Sequence, residues 1–200
     1  MPRRTLLSAE ARSRQFGIPT ERAEMARHYV LDEADLALVR ARRRGANRLG
    51  FAVQLCLLRQ PGTGLGTGLG PGERPPAPML AFVAEQLGMP LAAFADYAAR
   101  DQTRREHAIE PGAVLRLRSF RLADWRNCLR VGAEAAWATG RGEPIVAAML
   151  AHLRREGVIV PSAAVLERIG LTARTGPAAS PLPGSPRAWM TSSGPPSTRC

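Results

Sequence analysis

An all-α fold is what this sequence predicts: two small helical units of helix-turn-helix-like character, residues 5–109 and 117–171, followed by a disordered tail over 172–200. Three observations carry that prediction. Apolar residues recur at helical spacing through most of the chain, and no parallel-sheet pattern accompanies them. Glycine and proline cluster between those runs, where helices must stop. From Thr172 the text turns to proline, glycine and serine without a periodic apolar face, a composition that cannot bury enough apolar area to offset the entropy of ordering.

Taken in order, Ser8 caps a short helix that runs to Phe16, and Thr20, followed by Glu21 and Glu24, starts a second with Met25 and Tyr29 on its inner side. Asp32 caps a third, with Glu33 and Asp35 adding negative charge where the helix dipole favours it. Leu36 and Val39 give that helix a narrow apolar face, the arginines at 40, 42, 43 and 44 crowd its C-terminal end, and Gly45 is expected to stop it. Asn47 is placed to cap the fourth helix, in which Leu49, Phe51, Val53, Leu55, Leu57 and Leu58 leave only Arg48, Gln54 and Arg59 polar. A helix apolar on nearly every side belongs at the centre of a core. Each large side chain buried there stabilises by ~1.5–3 kcal/mol before entropy is charged against it.

Pro61-Gly62 ends that helix and opens a loop in which Thr-Gly-Leu-Gly is repeated in tandem. No Gly-Lys-Ser/Thr closes the loop and no strand precedes it, so it reads as a flexible connector and not as a nucleotide cradle. Leu80, Phe82, Val83 and Leu87 then mark one helix, Gly88-Met89-Pro90 a break, and Leu91, Phe94 and Tyr97 another. Ala84, Gly88 and Phe94 stand at the small, turn and apolar positions of a helix-turn-helix, where small residues let two helices cross closely; plain helical hairpins share this pattern. Pro111 predicts a loop over 110–116. In the second unit a helix over 120–138 offers Leu122, Trp125, Leu129, Val131, Ala135 and Trp137 to a core. Pro144 fits the first turn of the next helix, which runs to Gly157; Val158 to Val160 form a short extended piece, and Ser162 caps a last helix holding Val165, Leu166 and Ile169.

The 45% hydrophobic and 22% charged content is that of an ordinary globular chain. Its net charge is +11 and every basic residue is an arginine, which favours an anionic partner, although GC-rich coding yields the same composition. Cys56, Cys128 and Cys200 lie far apart without His companions at ligand spacing, so neither a disulfide framework nor a zinc site is expected, and a reducing, cytoplasmic setting fits. No segment approaches the ~20 apolar residues that span a bilayer, and arginine is not gathered on one long amphipathic helix, so no membrane partner is expected. Asp32, Asp35, Asp96, Asp101 and Asp124 fall on or beside helices, where capping and solvated faces are the common fate of carboxylates, and His28, His107 and His152 lack a paired nucleophile.

The wording of Asp-Leu-Ala-Leu-Val-Arg, the arginine run and Asn-Arg-Leu-Gly-Phe-Ala-Val-Gln-Leu-Cys-Leu-Leu-Arg resembles the N-terminal region of the Tn-three family of replicative (class II) transposases. The resemblance continues through LGPGERPPAPMLAFVAEQLGMPLAAFADYAARDQTRREH, LRSFRLADWR and GVIVPSAAVLERI, and so covers residues 5–171. It lapses at Pro111-Gly112, and the loop is longer than the family's, as if one Thr-Gly-Leu-Gly copy were a local duplication. It stops near Arg174, which implies a truncated chain with an aberrant, out-of-frame tail.

By resemblance, the expected function is recognition of a transposon's terminal inverted repeats in double-stranded DNA during replicative transposition. Arg40, Arg42, Arg43, Arg44, Asn47 and Arg48, with Arg100, Arg104 and Arg105, are the expected contacts, mainly to phosphate, because phosphate contacts set register while a few groove residues read bases. The family's Asp-Asp-Glu triad, which holds two metal ions on a ribonuclease-H-like fold, lies in its C-terminal half, so this chain is not expected to be an enzyme. No cofactor, metal or small-molecule ligand is expected, and self-association is left open. Two rival readings remain: a protein-interaction module for transposase assembly, and an inactive product of a truncated gene.

Overall fold

A computed structural model describes residues 5–65, 74–98 and 110–175, and these are built of helices. In chain order the helices are α1 (Ala9–Phe16), α2 (Arg22–His28), α3 (Glu33–Arg40), α4 (Gly45–Arg59), α5 (Ala77–Gln86), α6 (Ala93–Ala98), α7 (Leu122–Thr139), α8 (Gly142–Arg155) and α9 (Ala163–Thr175). Local chemistry sets several of the starts. The Ser8 hydroxyl accepts from the Ala11 amide at 3.1 Å. Asp32 and Asp35 form a reciprocal capping box, each carboxylate accepting from the other's backbone N–H at 2.8 and 3.0 Å. At α2 the helix begins after Glu21, without a side-chain cap, so Thr20 is not the capping residue.

The helices enclose two hydrophobic cores. In the first, α4 is the axis: Leu49, Phe51, Val53, Leu55 and Leu57 are fully buried, and α2, α3, α5 and α6 pack around it. Gln86 of α5 fastens the chain between α2 and α3, its amide donating to the Tyr29 carbonyl at 3.0 Å while its oxygen accepts from Leu31 N–H at 2.9 Å. Gly50 lets α6 approach, since a methyl group there would meet the Tyr97 ring at 2.3 Å. Gly88, at φ +61, has open space where a side chain would stand. Its part in the α5–α6 turn is therefore conformational, and the close helix approach expected at Gly88 is made instead at Gly50.

The second core is formed by α7, α8 and α9 around Ile145, Met149, Leu153, Leu166 and Ile169. Leu6, Leu7 and Ala11 from the N-terminus join it. Leu6 lies on Gly142 and Gly170, and a methyl group at Gly170 would come within 2.4 Å of its Cδ2. Arg12 pairs with the nearly buried Glu167 at 2.5 Å, and Arg14 with Glu143 at 3.0 Å. The core boundary thus cuts across the 5–109 unit read from sequence, because α1 packs with the C-terminal helices.

Three further expectations are corrected. Residues 110–114 are helical, with the Pro111 carbonyl accepting from Leu115 N–H at 3.0 Å, because proline removes a donor and leaves an acceptor. The buried stripe of α7 runs through Asp124, Cys128, Gly132 and Ala133, which leaves Leu122 66% and Trp137 56% exposed. Small residues form that stripe because α8 and α9 come close: a methyl on Gly132 would lie 3.2 Å from Ala173 Cβ. The ordered body passes residue 171 to Thr175, with Ala173 fully buried. The rest of the expected tail, 176–200, lies outside the described residues, as does the repeat segment 66–73.

The extended piece at Val158 is present as an isolated parallel bridge to Arg118, with Arg118 N–H donating to the Gly157 carbonyl and Ile159 N–H to the Arg118 carbonyl, both at 2.9 Å. Val160 N–H donates at 2.9 Å to the carbonyl of Gly62, just past the end of α4, which joins the two cores. A cavity of about 370 Å³ lies at this seam, with Arg59 and Arg154 in its wall. Both guanidinium groups are engaged, Arg59 in a fork on Asp35 at 2.8 and 2.6 Å and Arg154 on the Pro61 carbonyl at 3.4 Å.

Candidate nucleic-acid interface

The arginines singled out in the sequence gather at the turn between α3 and α4, and the structure divides them. Helix α3 ends at Arg40 and α4 begins at Gly45, so four residues make the connection. Gly45 opens α4 instead of closing α3; a methyl group there would meet Met89 Cε at 2.8 Å, so the α5–α6 turn packs against this point. Asn47 is the third residue of α4, half-buried, and not its cap. The Arg44 side chain makes no capping hydrogen bond to α4, and the positive end of the helix dipole lies beside the turn.

Two of the arginines are turned inward. Arg48 folds back so that Nε donates to the Arg42 carbonyl at 2.8 Å and Nη2 to the Arg40 carbonyl at 3.3 Å. A cation on the last carbonyls of α3 satisfies acceptors that the helix cannot, and it complements the dipole. Arg42 lays its guanidinium over the buried Phe51 ring, 4.4 Å from the centroid, and Nη2 donates to Glu110 Oε1. Its side chain is only 19% exposed.

The others face outward. Arg40 stands 67% exposed with a loose 3.9 Å pairing to Glu33. Arg43 and Arg44 are exposed, and no described residue pairs with either. Arg100, Arg104 and Arg105 lie outside the described residues, in a segment flanked by Tyr97 against α4 and by Glu110 on Arg42. Sequence reasoning missed Glu110, for a plain reason: its partner stands 68 positions away and no local pattern links the two.

Three features thus gather at the α3–α4 turn: two exposed cations that no described residue pairs with, one loosely paired cation and a helix start without a side-chain cap. Together they suit a polyanion, which needs several positive charges spaced along an exposed edge. The carboxylates have other work. Asp35 binds Arg59, and Asp124 accepts from the Arg118 guanidinium at 2.7 Å and from the Arg121 amide at 2.8 Å. Among the described residues no three His, Cys, Asp or Glu side chains group as a metal site would require. Burial pushes the Cys56 thiol up to about 12 and the Cys128 thiol to about 11, so both stay protonated at neutral pH and neither is an activated nucleophile. No described helix is long and apolar enough to cross a membrane.

Comparison with known proteins decides the family. Residues 6–173 match the model of a domain of unknown function, DUF4158. The chain belongs to the DUF4158 family. This DUF4158 chain is 42% identical over 175 residues to a transposase for transposon Tn3926 of Escherichia coli, covering 88% of the chain and 17% of that relative. It is 40% identical over 175 residues to a transposase for transposon Tn21 of Escherichia coli, again 88% of the chain and 17% of the relative. A transposase for transposon Tn501 of Pseudomonas aeruginosa is 42% identical over 168 residues, 84% of the chain and 17% of the relative. The resemblance to the N-terminal region of Tn-three-family transposases therefore holds over most of the chain, which spans about a sixth of the length of these relatives.

Proposed function

We propose that this chain is the DNA-binding N-terminal part of a transposase, recognising the terminal inverted repeats of its transposon in duplex DNA. The observation that carries the reading is the exposed pair Arg43 and Arg44, with which no described residue pairs, at the start of α4 on a chain of net charge +11. Backbone contact belongs to Arg40, Arg43 and Arg44, and the α5–turn–α6 unit with the arginines at 100, 104 and 105 is the candidate for reading sequence, as a helix-turn-helix would. Cleavage and joining of strands belong to a part of the transposase beyond this segment. Similarity to three transposases over more than four-fifths of the chain supports the assignment to transposition.

The test is a salt series of fluorescence anisotropy on a duplex carrying the transposon's own terminal repeat and on a scrambled duplex. The repeat is expected to bind more tightly at every salt. Each phosphate neutralised contributes about −0.9 to the slope of log affinity against log salt, so replacing both Arg43 and Arg44 with alanine should make that slope shallower by about two while the preference for the repeat survives. Equal affinity for both duplexes throughout the series would defeat end recognition.

A further inference from the structure

We infer that Arg42, Arg48 and Glu110 are positioning residues, which hold the 41–44 turn in the shape that presents Arg43 and Arg44 to a nucleic-acid backbone and touch no phosphate themselves. The inference rests on the duplex-binding part of the reading above and adds the residues that make the turn a clamp.

Three adjacent arginines would ordinarily repel one another and sample many rotamers, and ordering them on a ligand lowers affinity. Here the first of the three is withdrawn. Its charge is neutralised by Glu110 and its plane is set on Phe51, a fully buried residue of α4, so the turn is tied to the first core through its second residue. Arg48 then fastens the same residue from its carbonyl side and Arg40 from its own, with bonds of 2.8 and 3.3 Å. The turn is therefore held at both the side chain and the main chain of Arg42, and Arg43 and Arg44 are left pointing outward from a fixed backbone. Glu110 is the informative member. A carboxylate 45% exposed beside a polyanion site is unfavourable to binding by its charge alone, so its contribution can only come through the strut it makes with Arg42.

That opposition of sign gives the experiment. In Glu110→Ala one negative charge is removed together with the oxygen that accepts from Arg42. By charge alone, affinity for any duplex should rise; by positioning, it should fall about two- to tenfold, the cost of ordering a released rotamer-rich side chain on binding. Arg48→Lys keeps the charge but cannot span two carbonyls, so it is expected to weaken binding and make the salt slope shallower as Arg43 and Arg44 lose register. An Arg48 that itself touched phosphate would be replaced by lysine with the slope unchanged. Both variants are measured on the repeat and the scrambled duplex, below the thermal unfolding midpoint of each, and Arg48→Lys decides alone should Glu110→Ala fail to fold. Tighter or unchanged binding by Glu110→Ala, or an unaltered slope in Arg48→Lys, overturns the inference. Wild-type binding that ignores sequence would defeat end recognition and leave the clamp to be judged on both duplexes; no binding to duplex at low salt would overturn both.

Discussion

Asp124 does two things at the start of α7, accepting the Arg121 amide as a cap and the Arg118 fork as an ion pair, with its own side chain 3% exposed. The Arg118 guanidinium, and after it the Arg121 amide, hold its carboxyl below the ordinary carboxylate value. A lowered folded value means that the unfolded chain takes up the proton first as pH falls. The stabilisation is thus complete above about pH 4, the ordinary aspartate range, and is lost as pH drops through the folded value. Replacing Asp124 with asparagine should cost about 1–3 kcal/mol at neutral pH, as for a hydrogen bond to a charged group, and should flatten the fall in stability below about pH 4. Urea titrations of both proteins across that range check it; parallel curves would show that Asp124 is not the group responsible.

At the scale of elements, closeness of packing depends on which glycine faces what. Gly50 and Gly88 look alike as interruptions of apolar runs, yet one is a contact and the other a turn. Gly50→Ala drives a methyl group into the Tyr97 ring, 2.3 Å from it, on a helix whose neighbours are fully buried. Overpacking of this kind costs about 1–3 kcal/mol, against a gain in helix propensity of about 1 kcal/mol. A net loss is expected in thermal unfolding followed by circular dichroism, and it should be markedly non-additive with Tyr97→Leu, since the smaller side chain makes room for the methyl. Additive losses would place the strain elsewhere. Gly88→Ala meets no atom, and its cost is the left-handed backbone alone.

Across the whole molecule, the N-terminal helix closes the C-terminal core. Leu6 covers Gly142 and Gly170, and two ion pairs carry α1 onto α8 and α9. Leu6→Ala should therefore cost about 2–5 kcal/mol, within the range for truncating a buried leucine. Hydrogen exchange is the discriminating measurement: protection should fall in α8 and α9 and be kept in α4, because regions open in cooperative units that share a core. Loss of protection in α4 first would mean that α1 serves the first core instead.

The sequence by itself determined what is local. Helix followed from apolar spacing; the Ser8 and Asp32 caps followed from hydrogen bonds that reach only three residues, 3.1 and 2.8 Å long in the structure; the centrality of α4 followed from its having too few polar positions to face water. The family wording in the same stretch carried the kinship with transposases. Tertiary structure decided the rest, because the deciding contacts join residues far apart in the chain. Arg14 meets Glu143 across 129 positions, which assigns α1 to the second core, and Arg42 meets Glu110 across 68, which withdraws one arginine of the 40–44 run and leaves three exposed. Four arginines within five positions look equivalent in sequence. They become different only when a folded neighbour supplies an aromatic face or a carboxylate to some of them, while no described residue pairs with Arg43 or Arg44.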